Sequence, residues 1–214
     1  MKKLLLSLSL LGAASVAAHA QGGPGASFGV KGGASLTNVT GNNTSDAKNL
    51  WGFHAGLIGN FAVNDLFSIQ PEVLYSMKGA KAEESVTYQG VTVSGKANVR
   101  LHYIDVPVLA HINAGGLFFE LGPQIGFLAT ARQHVEYSAG SLGSSSQDET
   151  VTDQFNTVDF GYVGGLGYQM ANGPGVGLRY NGGFTDIQKG NNNSSDAVRN
   201  SAFQLYVTYM FGGK

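Results

Sequence analysis

The chain has 214 residues, a formal net charge of −1, 32 glycines and no cysteine. A near-neutral balance excludes a basic nucleic-acid surface, and the lack of cysteine excludes a disulfide framework and lipid attachment to a leader cysteine. Glycine this frequent, without a collagen-like period, opposes long helices and suits strands, tight turns and close backbone approach.

The first residues have the pattern of a cleavable secretory leader. Lys2 and Lys3 form a positive start, Leu4 to Val16 an apolar run, and Ala18-His19-Ala20 a small-x-small cleavage site. The apolar run is shorter than the roughly 20 residues a helix needs to span hydrocarbon, so cutting after Ala20 is expected. The expected mature domain, 21–214, has 194 residues and a formal charge of −3, because Lys2 and Lys3 leave with the leader.

Beyond the leader, apolar and polar side chains alternate with a period of two, the pattern of strands with two unlike faces. A weaker stretch at about 26–37 comes first. Segment 51–63 sets Trp51, Phe53, Leu57, Phe61 and Val63 against Gly52, His54, Gly56, Ile58 and Asn60. Segment 66–78 is the clearest: Phe67, Ile69, Val73, Tyr75 and Met77 oppose Ser68, Gln70, Glu72, Ser76 and Lys78, with Leu74 as the exception. After a weaker stretch at 99–112, segment 117–130 sets Leu117, Phe119, Leu121, Ile125 and Phe127 against Glu120, Gly122, Gln124 and Gly126. Segment 158–170 sets Val158, Phe160, Tyr162, Leu166 and Tyr168 against Asp159, Gly161, Gly165 and Gln169. A weaker stretch at 175–185 precedes 203–211, where Phe203, Leu205, Val207, Tyr209 and Phe211 alternate with Gln204, Tyr206, Thr208 and Met210. Eight strands are expected, most near or above the roughly 9–11 residues that cross a tilted bilayer path.

The connections alternate in length. Asn64-Asp65, Asn113-Ala114-Gly115 and Asn172-Gly173-Pro174 are tight turns, whereas 38–49, 79–98, 131–156 and 186–199 are long and polar. Short turns on one side and long loops on the other are the habit of bacterial transmembrane barrels, and both chain ends fall on the short-turn, periplasmic side. The 79–98 stretch is suited to prolong its flanking strands as a hairpin beyond the membrane. The tips GNNTSDA (41–47) and GNNNSSDA (190–197) read as solvated turn composition, and the Gly/Ser/Asp stretch 138–149 as the most mobile part.

The apolar faces carry almost no charge, while Lys31, Glu72, Asp105, Glu120, Asp159 and Arg179 lie on the opposite faces. A charge toward lipid costs about 2–4 kcal/mol at mid-bilayer. These faces are therefore assigned to the lumen, with Lys31 and Arg179 expected to pair there with Glu72, Glu120 and Asp105. Aromatic residues cluster at strand ends as two girdles. Phe61, Phe67, Phe119, Tyr168, Tyr209 and Phe211 mark the periplasmic level; Trp51, Tyr75, Phe127 and Phe160 mark the outer one.

At eight strands the interior is just filled by side chains, so the expected lumen is a plug and a general diffusion pore is not expected. Catalysis is not expected either. His54, His102, His111 and His134, with Ser76 or Ser138, form no recognisable nucleophile motif and lack zinc spacing. Gly161 to Gly167 is a poor nucleotide fingerprint, because it lies within a strand pattern and opens no helix; relief of crowding or strand curvature is its expected role. No cofactor is expected.

The segments HYIDVPVLAHI (102–112) and GGLFFELGPQIGFL (115–128) resemble the paired strand motif of the PorT-like "porin family" outer-membrane barrels of the Bacteroidota. Tyr103 to Pro107 fill its aromatic-aliphatic-acidic-x-Pro stretch, and Glu120-Leu121-Gly122-Pro123 its acidic-x-Gly-Pro motif. FGVKGGASL (28–36) resembles the family's opening strand and FSIQPEVLYSMKG (67–79) its third. The resemblance covers the whole mature chain and implies a non-enzymatic outer-membrane barrel domain of small OmpA/OmpX-like architecture. It implies no defined substrate. Gly212-Gly213-Lys214 after Phe211 depart from the terminal aromatic of many such barrels.

The expected fold is thus all-β: a single eight-stranded antiparallel up-and-down transmembrane barrel in the outer membrane. Its expected role is binding, adhesion or envelope structure through loops and a closed lumen. A narrow porin-like channel and a soluble periplasmic lipocalin-like carrier are the alternatives; the carrier requires the reverse assignment of faces. Expected partners are outer-membrane lipid, the barrel-assembly machinery and an extracellular ligand of unknown chemistry, with no nucleic acid.

Overall fold

The computed structural model describes residues 25–42, 44–88, 91–138, 143–170, 173–190 and 196–211. The leader at 1–20, most of the 190–197 tip, Asn172, residues 139–142 and the Gly212-Gly213-Lys214 tail lie outside the described residues. The strands are β1 (Ala26–Thr40), β2 (Leu50–Ala62), β3 (Phe67–Tyr88), β4 (Val91–Ala114), β5 (Leu117–Ser138), β6 (Ser144–Thr150), β7 (Val158–Gln169), β8 (Pro174–Gly183) and β9 (Arg199–Phe211). Every pairing is antiparallel, and β1, β2, β3, β4, β5, β7, β8 and β9 close on themselves in that order. The seam is the β1–β9 ladder, running from Phe28 opposite Phe211 to Thr40 opposite Arg199. The result is an eight-stranded up-and-down barrel, with β6 standing outside the ring. Closure leaves no free edge within the barrel, so each wall strand is paired on both sides.

The short turns are held by their own side chains. Asn64 Oδ1 accepts from the amides of Leu66 at 3.0 Å and Phe67 at 2.8 Å, and Asn113 Oδ1 from that of Gly116 at 3.0 Å. Gly115 and Gly116 take φ of 65° and 95°, a left-handed region in which a Cβ would be strained.

The barrel departs from the expected boundaries on one side. β3, β4 and β5 have 22, 24 and 22 residues, against 13 in β2 and 10 in β8. β3 and β4 stay paired up to Tyr88 opposite Val91, so the 79–98 stretch is the projecting hairpin expected for it. The 131–156 stretch is not the loop expected. β5 continues to Ser138, and β6, the polar sequence SSSQDET, pairs with it from Arg132–Thr150 to Ser138–Ser144. The β4–β5 extension presents a free backbone edge, and ladder hydrogen bonds to that edge override the weak strand preference of Ser, Asp and Gln. The segment 138–149 read as mobile is therefore mostly strand in its described part. A bulge sits at the base of the extension: Tyr103 faces Leu128 and His102 faces Thr130, leaving Ala129 as the extra residue. Past it, the even-numbered residues of β5 turn outward instead of the odd ones.

The first long connection is fastened to this extension. Lys48 and Lys81 exchange backbone hydrogen bonds of 2.7 and 3.1 Å, and Glu83 lies between their ammonium groups at 2.9 and 3.1 Å. Hydrogen bonds from Lys48 and Lys81 pull the Glu83 carboxyl down to about 2 from its ordinary 4.5. A depressed carboxylate stabilises fully above its unfolded value and loses that contribution as pH falls through the folded one. The protection factors of the Lys48 and Lys81 amides in lipid discs, corrected for the intrinsic pH dependence of exchange, are therefore expected to fall between pH 4.5 and 2, and Glu83→Gln to abolish that acid response.

Candidate functional site

Alternation of faces puts the polar side of each strand inside the ring, where the charges form two tiers. In the tier nearer the short turns, Lys31 on β1, Glu72 on β3, Glu120 on β5 and Arg179 on β8 are each no more than 3% exposed. Glu72 is the hub. Its Oε1 accepts from Lys31 Nζ and from Gln70 Nε2 at 2.9 Å, and its Oε2 from Arg179 Nη1 at 2.8 Å. Glu120 lies 3.7 Å from Lys31, which also sits 4.1 Å above the Tyr206 ring. Arg179 Nε donates to Gln204 at 2.6 Å, and Gln204 donates to Ser35, which contacts His54 at 2.9 Å. Two cations and two carboxylates balance, as buried charges must when desolvation costs several kcal/mol per ion.

Asp105 and Asp159 lie in the other tier, with Lys78. Lys78 Nζ donates to Asp105 at 2.9 Å, lies 3.8 Å from Asp159 and sits 4.6 Å over the Tyr103 ring. Asp159 also accepts from Asn200 at 2.8 Å and Thr185 at 3.0 Å. The expected grouping of Asp105 with Lys31 and Arg179 is therefore corrected. Asp105 stands opposite Leu74 in the β3–β4 ladder, toward the long-connection end of the barrel, and Lys78, two lumenal positions further along β3, is its cation. Lys78 was legible as lumenal from its alternation, but not as a member of the cluster.

Above this tier the lumen becomes apolar. Leu101, Tyr103, Leu128 and Ala131 from the wall pack with Val151 and Ile187 from the long connections, joined by Val39, Val99, Phe155 and Val198. Backbone hydrogen bonds hold the two intruders in place, Val151 N to Ala131 O at 2.9 Å and Ile187 N to Val198 O at 2.9 Å. Single aliphatic residues within polar stretches were the only sequence signal for this cap.

Lumenal glycines make room for these side chains. A Cβ on Gly165 would lie 2.9 Å from Glu120 Oε1, and one on Gly177 2.4 Å from the Tyr206 ring. The space left between Lys78, Gln124, Asp159, Asn181 and Asn200 is about 10 Å³. At the short-turn mouth, a cup of about 200 Å³ is lined by polar residues such as Asn60, Gln70 and Gln169 together with Leu66, Phe67 and Met210.

Outside, the wall is a belt of exposed apolar residues, including Leu57, Val73, Leu121, Leu166, Leu178 and Leu205. Phe61, Phe67, Phe119, Tyr168, Tyr209 and Phe211 lie toward the short turns, and Trp51, Tyr75, Phe127 and Phe160 toward the long connections. Two ring pairs mark the lower row, Phe28–Phe61 at 5.9 Å and Tyr209–Phe211 at 5.5 Å. The upper row includes a run not singled out in the sequence: Phe184, Tyr162, Tyr180 and Phe203 at successive centroid spacings of 5.1, 6.0 and 4.9 Å.

The candidate catalytic residues are scattered. Ser76 is buried in the lumen, whereas His102, a register step away, points outward and meets Tyr75 Oη. His134 holds Asp148 at 2.8 Å on the exposed extension, and His111 stacks on Phe118 at 4.6 Å. Among the described residues no group of three or more His, Asp or Glu could hold a metal ion.

A ring of eight strands with charges inside, an apolar belt outside and unequal loop lengths at its two ends defines a transmembrane β-barrel. The chain belongs to the family described as "Outer membrane protein beta-barrel domain", whose model matches residues 19–189. It is an outer-membrane protein. Among solved structures it is similar to the attachment invasion locus protein Ail of Yersinia pestis, at 14% identity and a TM-score of 0.44, covering 87% of this chain and 99% of that one. It is also similar to Neisserial surface protein A, at 17% identity and a TM-score of 0.48, with the same coverage. No curated protein matches.

Proposed function

We propose that this protein is a non-enzymatic surface barrel whose lumen is closed and whose projecting sheet and loops bind an extracellular ligand. The observation that carries this reading is the sequence of barriers along the lumen: a balanced ion cluster, a second charged tier and an apolar cap over both. An ion entering at the short-turn mouth meets buried, mutually paired side chains and then a layer that cannot solvate it; one entering at the other mouth meets that apolar layer first. Beyond the cap, β3, β4, β5 and β6 form a mostly exposed sheet clear of the apolar belt, the part most available to a partner. Cleavage after Ala20, both mature termini in the periplasm, assembly by the barrel-assembly machinery and affiliation with the PorT-like barrels of the Bacteroidota belong to the same reading. The leader grammar, the short-turn side of both chain ends, the alternating last strand and the paired strand motif support them.

The test is single-channel conductance of refolded protein in a planar bilayer, with heat-shifted gel mobility as the control for folding. Silence from an inserted, folded barrel is the expected result. Discrete reproducible steps would replace this reading with the narrow channel and make Lys31, Glu72, Glu120 and Arg179 its selectivity residues. The soluble carrier is disfavoured by the outward belt of Leu, Val and Phe.

A further inference from the structure

The outward faces of β3, β4 and β5 change character at one height. Apolar residues run up to Tyr75, Ile104 and Phe127, which stand side by side across the ladders. One step higher are Met77, His102 and Thr130; the next step holds Gly79, Arg100 and Arg132. Arg100 and Arg132 are thus direct cross-strand neighbours on the same face, the first outward charges above the belt on these strands. Directly opposed side chains have Cβ atoms about 4.5–5.5 Å apart, and like charges there repel. Both arginines are exposed, and neither makes a hydrogen bond or an ion pair among the described residues.

The two guanidinium groups border a concave pocket of about 660 Å³ whose wall includes Met77, Asn98, His102 and His134. Two carboxylates also line it. Asp148 is held by His134 at 2.8 Å, and Glu149 stands opposite Gln133, one residue out of the arginines' row. Neither carboxylate forms an ion pair with an arginine among the described residues, and Asp148 is engaged by His134. Met77 supplies an apolar floor, and Tyr75 and Ile104 continue it downward.

We propose that this pocket binds a phosphate group of an anionic lipid in the leaflet on the long-loop side, with Arg100 and Arg132 as a paired clamp. Guanidinium forks match phosphate oxygens two at a time, which relieves the repulsion between the arginines. The apolar rows directly beneath accept the lipid's chains, a feature a soluble phosphate does not need. The assignment of that leaflet as the outer one rests on the orientation proposed above. The binding itself does not, since both leaflets of a lipid disc are accessible to the probe, and its readout is separate from conductance.

The experiment reconstitutes full-length protein in phosphatidylcholine discs doped with diphosphoryl lipid A and reads retained lipid by native mass spectrometry. Arg100→Gln with Arg132→Gln is expected to weaken retention about thirtyfold, whereas Lys189→Gln, which removes a cation elsewhere, leaves it unchanged. Heat-shifted mobility checks folding, and Arg132→Gln alone serves if the double variant does not assemble; it is expected to lose part of the retention. Equal retention by wild type and a folded arginine variant overturns the proposal. Binding of inorganic phosphate to protein in undoped discs as tightly as lipid A overturns the lipid as the ligand's source.

Discussion

Glu72→Leu is expected to lower the stability of the folded barrel by about 3–5 kcal/mol, the cost of leaving buried charges without their partner. Glu72 takes hydrogen bonds from both Lys31 and Arg179, so its loss leaves two cations facing Glu120 alone. The measurement is the urea unfolding midpoint in lipid vesicles. The paired variant Lys31→Met with Glu72→Leu leaves one cation, Arg179, and one anion, Glu120, in the tier. It is expected to recover most of the loss, because replacing a whole buried pair with apolar groups is often close to neutral. A single variant with an unchanged midpoint would show that Lys31 and Arg179 are compensated by something other than Glu72. A double variant as weak as the single one would mean that packing, not charge, sets the cost.

Leu205→Arg is expected to cost about 2–4 kcal/mol and to sharply reduce the folded, membrane-inserted fraction. Leu205 is 54% exposed and lies on the outer wall between the two aromatic levels, Phe203 above and Tyr209 below. Val86, 69% exposed on the projecting hairpin, is the matched comparison. By exposure alone Val86→Arg is the similar change; in water it should stay within about 0.5 kcal/mol of wild type. Heat-shifted mobility after vesicle refolding reads both. Equal damage would mean that the belt around Leu205 does not meet hydrocarbon.

The neighbouring lumenal position shows where alternation stops being informative. Alternation places Gln204 inside and would pass Gln204→Arg as harmless. Gln204 Oε1, however, accepts from Arg179 Nε at 2.6 Å, so a second guanidinium there meets a like charge in a buried tier. The same limit applies to Asp105: its face was legible, but its partner Lys78 depends on the stagger of β3 against β4. The girdle aromatics were legible from strand ends, whereas the run from Phe184 to Phe203 needed three strands brought side by side. Val151 and Ile187 read as loop residues because nothing within their own segments shows what they pack against.

By itself the sequence determined the number of barrel-wall strands, their up-and-down order, the side of each face and which end of the barrel carries the short turns. Those features are local: a two-residue period, turn residues with left-handed backbone, and the penalty for a charge in lipid act within one strand or between neighbours. Only the tertiary structure decided the two-tier division of the lumenal charges, the apolar cap, the pairing of β6 with the extension of β5, and the meeting of Arg100 with Arg132. Each depends on the register between strands and on backbone edges left open by other segments. A shift of one residue in a ladder would turn the slipped strand's contribution to these contacts to the other face.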